Sequence, residues 1–175
     1  SFNTVKNSVS FSTGFINDKF ELSGRLSRIK SGGYIDRSGS KLRSYFLQGI
    51  YKDSNTLIKL LNFAGHEITD QAWFGIDSST LESNRRYNQA GEYYDKNGNV
   101  LYYDNQDDNY KQDHYQLHWN QDYENGWISN FGLHYTNGRG FFENYNLAFD
   151  SNSSDNIDRR WLDNDFYGLI FSFNN

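Results

Sequence analysis

The sequence has no cysteine, no methionine and no proline in 175 residues. Without cysteine there is no disulfide, no zinc–thiolate site and no thiol nucleophile, which removes several enzyme classes at once. Positive charge is also scarce. Lys and Arg number 17 against 22 Asp and Glu, a formal net charge of −5, and no Lys/Arg cluster forms the basic stripe that nucleic-acid binding needs. No apolar run approaches the roughly 20 residues of a membrane helix, which excludes a helical membrane protein. The N-terminus shows no signal-peptide pattern, and a chain that starts at Ser1 without any Met reads as a piece of a longer precursor. A nucleophile elbow, a phosphate loop and a metal-ligand cluster are missing. The many Asp and Glu residues have no spacing that selects a glycosidase pair, so no enzyme activity is expected.

Aliphatic residues are few as well. Hydrophobic residues make up 36% of the chain and aromatic residues 18%, so half of the apolar content carries a ring. Tyr and Trp have an apolar body and a polar tip, which suits a surface that is apolar on one side and wet on the other. The polar remainder is rich in Asn, Asp, Ser and Gly, the residues of turns and exposed loops.

Apolar and polar residues alternate in seven blocks, the period of strands with two unlike faces. In Ser8 to Phe15, Val9, Phe11 and Phe15 oppose serines; in Phe20 to Ser27, Phe20, Leu22 and Leu26 oppose Glu21, Arg25 and Ser27. Arg43 to Tyr51 follows, then Leu57 to His66, where Asn62 interrupts an even face of Ile58, Leu60 and Ala64 and leaves the register open. The last three centre on Tyr115 to Trp119, Trp127 to Tyr135 and Tyr167 to Phe173. Tight turns are expected at 16–19, 52–55 and 122–126, whereas 28–42, 67–113 and 137–165 are long connections. Strict alternation of short turns and long loops is the asymmetry of an outer-membrane barrel, and Phe15, Phe20, Tyr51 and Trp127 would form an aromatic girdle beside the short turns. The fold expected is therefore all-β, an antiparallel transmembrane β-barrel segment of about seven strands that is an open meander sheet in isolation. All of 1–175 belongs to one β-barrel domain in this reading. Ser1 would lie at the external rim and Asn175 on the periplasmic side. A soluble β-rich carbohydrate-binding module and a passive small outer-membrane barrel are the alternatives.

Several segments are similar to one family. "SGRLSRIKSGGYIDRSGSKLRSYFLQG" (23–49), "QAWFGI" (71–76), "YNQAGEYYDKNGNVLYYDNQDDNYKQDHYQLHWNQ" (87–121), "LHYTNGRGFFENY" (133–145) and "RRWLDNDFYGLIFSFN" (159–174) resemble TonB-dependent outer-membrane receptors of the Bacteroidetes type. The resemblance implies a plug domain inside a 22-stranded barrel, active import of a scarce ligand such as an iron chelate, cobalamin or a glycan, and energy supplied by the TonB complex. The plug and the TonB-contacting box would lie upstream of Ser1. Outer-membrane lipid and lipopolysaccharide would be further partners.

Exposed rings on loops stack on flat or sugar-like ligands, so Trp73, Phe74, Tyr87, Tyr93, Tyr94, Tyr102, Tyr103 and Tyr110 are candidate ligand contacts. Arg85 and Arg86 are candidates for an anionic siderophore, and the Arg159–Arg160 pair is similar. His114 and His118, four apart on a strand, would be about 13 Å apart at ~3.3 Å per residue, too far to share an ion, and with His134 they read as lumen-facing polar residues; His66, at the end of the fourth strand, is an equally weak metal candidate. No cofactor is expected. Asp104 to Asn109 offers oxygen ligands for calcium but lacks the ligand order of the known twelve-residue loop. Asn97-Gly98 between Tyr94 and Val100-Leu101-Tyr102 predicts a small hairpin inside the long loop.

Overall fold

The computed structural model describes residues 2–148 and 154–175. The described chain is all-β, and its main sheet is antiparallel, seven-stranded and not closed. The strands are β1 (Val5–Ser12), β2 (Phe20–Ser31), β3 (Ser40–Lys52), β4 (Thr56–Asp70), β5 (Glu92–Tyr94), β6 (Val100–Tyr102), β7 (Asp107–Asp122), β8 (Ile128–Asn146) and β9 (Asn156–Asn174). The order across the large sheet is β1-β2-β3-β4-β7-β8-β9, a meander in which every neighbour follows in sequence except across the β5–β6 hairpin. That hairpin forms where Asn97-Gly98 predicts it: Gly98 adopts φ +80° and the Asp95 carboxylate accepts the Asn97 and Asn99 amides, both at 2.8 Å.

The short turns lie together at one end. Asn17 and Asp18 both take positive φ, 51° and 57°, the mirror-image turn whose twist matches the strands it joins. The expected first strand shifts from 8–15 to Val5–Ser12, because Gly14 at φ +62° breaks the ladder before Phe15. The next turn closes by the Asp53 amide donating to the Thr56 carbonyl at 2.8 Å, and the last by Gly126 at φ +86°. At this end the Lys19 ammonium also meets the Asp53 carboxylate at 3.1 Å.

Register sorts the sheet into rows. Phe20, Tyr51, Ile58, Trp119, Phe131 and Phe171 are successive partners, five of the six being rings. Leu22, Gly49, Leu60, Leu117, Leu133 and Leu169 form the next row on the same face, and Phe11, Gly24, Leu47, Asn62, Tyr115, Tyr135 and Tyr167 the one after. The even residues of β4 thus join the apolar face, which settles the register left open by Asn62. This face is uncovered: Leu60 is 58% and Leu169 61% exposed. The opposite face carries Ser8, Ser27, Ser44, Gln112, His114, Gln116, His118 and His134. Among the described residues the only buried hydrophobic side chains are Ala64 and Ala90, so the sheet has no aliphatic core of its own.

The connections at the other end are shorter than expected. They span 32–39 rather than 28–42, 71–106 rather than 67–113, and 147–155 rather than 137–165, because paired strands continue through segments rich in Asn, Asp and Gly. Asn137 pairs with Asp165 and Gly138 with Asn164, so ladder bonds made with a neighbour override local turn preference. Ser1, expected at the rim, and 149–153 of the last connection lie outside the described residues. The Phe2 carbonyl accepts from the Gly32 amide at 2.9 Å, which sets the start of β1 at the long-connection end.

Candidate functional site

The 71–106 segment folds onto the long-connection end through a polar core. Gln71, Asn88, Gln106 and Glu143 are the buried polar residues there, Glu143 at only 1% exposure. Each is saturated. The Asn88 amide donates to the carbonyls of Gln71 (2.9 Å), Asp36 (3.0 Å) and Arg37 (3.3 Å), and its oxygen accepts from the Ala90 amide at 3.0 Å. Gln71 donates to the Glu143 carbonyl at 3.2 Å, and Gln106 donates to Gln71 Oε1 and accepts from the Tyr145 amide at 2.8 Å. The Glu143 carboxylate takes hydrogen bonds from Tyr103 and from Arg159. Buried polar groups satisfied this fully specify one arrangement, since any slip leaves several of them orphaned. A six-residue helix, α1 (Ser78–Ser83), interrupts the segment; Asp77 caps it, and the Ser79 and Thr80 groups bonded to its carboxylate hold its pKa down at about 2.

On this support lies a cleft of about 480 Å³ lined by Trp73, Phe74, Tyr87, Glu92, Tyr94 and Tyr145, with the side-chain amides of Gln89, Asn144 and Asn146 at its margin. Its size falls within the about 300–1,000 Å³ of small-molecule sites. Trp73 and Tyr94 are 68% and 56% exposed, so their rings are available to stack. Trp73 and Phe74 meet edge to face at 6.2 Å. Glu92 is clamped: Tyr87 donates to one carboxylate oxygen at 2.6 Å and Tyr94 to the other at 2.9 Å. The bond to Glu92, with burial second, pushes the Tyr87 hydroxyl up to about 12, and the Tyr94 hydroxyl moves up for the same first reason. The lining therefore offers rings, amides and one carboxylate, and no lysine or arginine.

Of the eight loop rings singled out in the sequence, Trp73, Phe74, Tyr87 and Tyr94 line this cleft together. Tyr93 and Tyr103 pack behind it on Tyr145, at 5.1 and 5.6 Å between ring centres. Tyr102 lies under the Arg37 guanidinium at 3.4 Å. Arg86 is drawn away to the Asp36 carboxylate (2.9 Å) and the Tyr34 carbonyl (2.9 Å), and Arg85 is exposed beside it. Tyr110 sits on β7, on the polar face. Glu92, on β5, and Asn144, Tyr145 and Asn146, at the outer end of β8, were not anticipated.

The histidines are held singly. His114 stacks on Phe63 at 4.5 Å and bonds Thr136 at 2.9 Å, His118 bonds Gln116, and His66 bonds Asn109. Among the described residues no group of three His, Cys, Asp or Glu is placed to hold a metal ion. In the calcium candidate, Gln106 is committed to the polar core and Asp107 pairs in register with Asp70.

No family model matches the chain, and neither a curated protein nor a solved structure matches it.

Proposed function

We propose that the chain is a wall segment of a TonB-dependent outer-membrane receptor, with the aromatic cleft in its external loop layer as a contact for the imported ligand. The uncovered apolar face carries this reading. Leucine and ring side chains stand exposed in continuous rows across all seven strands of this face, and lipid is a medium that covers such rows, whereas the other face mixes serines, glutamines and histidines with Phe46, Phe63 and Leu61. In the large sheet the strands after β1, that is β2, β3, β4, β7, β8 and β9, have 12 to 19 residues and exceed the about 9–11 that cross a bilayer, leaving their outer parts to carry loops outside it. The grouping of short turns at one end and long connections at the other, and the sequence resemblance, support the same orientation.

Cleft chemistry narrows the ligand. Rings, amides and a carboxylate without a cation suit a neutral ligand with flat or hydroxylated faces, such as an uncharged ferric hydroxamate, rather than an anionic siderophore gripped by Arg85 and Arg86. The test is fractionation of the natural protein, followed by uptake of a radio-iron-labelled neutral trihydroxamate with and without a protonophore. Expected are an outer-membrane location, protonophore-sensitive uptake, and about tenfold weaker binding after Trp73→Ala or Tyr94→Ala with Arg85→Ala unaffected. Recovery of the protein in the soluble fraction would sink the proposal.

A further inference from the structure

The aromatic cleft carries one electrical sign. All three of its tyrosines turn their hydroxyls onto a carboxylate: Tyr87 and Tyr94 donate to Glu92, and Tyr145 donates to Asp155 at 2.6 Å. The other Asp155 oxygen accepts the Ala148 amide at 2.8 Å, which fixes this carboxylate beside Tyr145. Among the described residues neither Glu92 nor Asp155 makes an ion pair. The arginines nearby are engaged elsewhere: Arg37 lies over Tyr102, Arg86 meets Asp36, and Arg159 meets Glu143. Ring faces are themselves negative, and a hydroxyl that donates to a carboxylate pushes more electron density into its ring. Two uncompensated carboxylates therefore act together with the rings, and no lysine or arginine in the lining opposes them.

Three kinds of ligand group meet this cleft differently. An anion is repelled by both carboxylates. A neutral sugar needs hydroxyl donors around it, and the tyrosine hydroxyls are already spent on Glu92 and Asp155. A cation is attracted by every part of the lining, since an ammonium within about 6 Å of a ring centre gains from the negative ring face. Each Glu92 oxygen already accepts one tyrosine, so this carboxylate supplies charge more than free hydrogen-bond sites. That suits a methylated ammonium, which has no N–H to satisfy, better than a primary one. We propose that the cleft binds the quaternary ammonium group of its ligand, seated among Trp73, Tyr87, Tyr94 and Tyr145 with Glu92 as the counter-ion. At about 480 Å³ the cleft is larger than a trimethylammonium group, so the cation is one end of a larger molecule. The proposal rests on the reading of the cleft as the ligand contact and sharpens it: the imported molecule is a neutral body with one cationic arm.

The test is saturation-transfer NMR on the natural protein extracted in detergent, with choline, its uncharged isostere in which carbon replaces the nitrogen, and maltose as probes. Choline is expected to bind at least about tenfold more tightly than the isostere. Glu92→Gln should abolish that preference while leaving binding of the isostere within about twofold of wild type. Trp73→Leu removes a ring face that makes no hydrogen bond, and should weaken choline at least about threefold. An unchanged exchange rate of the Ala90 amide shows that the loop layer is intact in each variant; if Glu92→Gln loosens it, Trp73→Leu decides alone. Equal binding of choline and isostere, no binding of either, tighter binding of maltose than of choline, or variants that bind choline as wild type does each overturn the site. A protein found in the soluble fraction that still prefers choline keeps this site and defeats the receptor reading. One that stays in the outer membrane and fails these tests defeats this inference alone.

Discussion

Leu60→Arg separates a lipid-facing wall from a water-facing sheet. Leu60 lies within β4 in the leucine row, 58% exposed, between Gly49 and Leu117. Gly49 has open space where a Cβ would stand, so a longer side chain at 60 meets no steric barrier and the substitution reports solvation. On a lipid face arginine costs about 2–4 kcal/mol at the bilayer midplane and less toward the interface. One row from the ring-bearing row, about 2 kcal/mol is expected, a factor of about 30 in the folding equilibrium. On a face in water the same change falls within about 0.5 kcal/mol, as exposed substitutions do. Leu61→Arg, on the opposite face beside Gln48 and Gln116, is the internal control and is expected to cost under about 1 kcal/mol. Reversible urea unfolding of the protein inserted in phosphatidylcholine vesicles measures both. If Leu60→Arg stays within about 0.5 kcal/mol, or Leu61→Arg costs more, the assignment of faces is wrong.

Asn88→Ala strips three carbonyls and one amide of their partner inside the loop layer; at about 1–3 kcal/mol for an orphaned buried group, the Ala90 amide should exchange about 100-fold faster while Leu47 in β3 is unchanged. Equal acceleration at both amides would mean that the loop layer and the sheet open as one unit. Tyr87 should titrate at about 12 against an ordinary 10.0, and Glu92→Gln should return it toward 10.0. Because the folded-state pKa is the higher one, the contribution of this bond is complete below pH 10.0 and is lost as pH rises to about 12. A carbon-13 titration of the Tyr87 ring that already turns at 10.0 in wild type refutes the clamp.

The parts of the fold that were legible in the sequence are those where one physical effect dominates. The leucine and ring rows show through strict alternation, and the Asn97-Gly98 hairpin through a dipeptide that few other turns accept. The outer parts of β7, β8 and β9 were hidden because Asn, Asp and Gly signal turns locally, and only the ladder to a neighbouring strand holds them extended. Glu143 was hidden for a related reason: a lone glutamate reads as surface, and its burial depends on Tyr103 and Arg159, distant in sequence, arriving on either side. The cleft was half legible. Its loop rings declared themselves by exposure and type, whereas Asn144, Tyr145 and Asn146 belong to a strand end that reads as loop.

The two margins of the sheet are unlike. β1 offers 8 residues and β9 offers 19, so a ring closed by joining them would leave 11 (19 − 8) of β9 unpaired. β9 also presents Tyr167 at 83% exposure on one face and Ile170 at 72% on the other, whereas β1 alternates its apolar residues with Lys6, Ser8 and Ser10. One margin is blunt and the other adhesive. In water, separated from lipid and from any further strands, such a sheet would self-associate through its β9 seam and grow by that contact, so suppression of aggregation falls on whatever first pairs with β9.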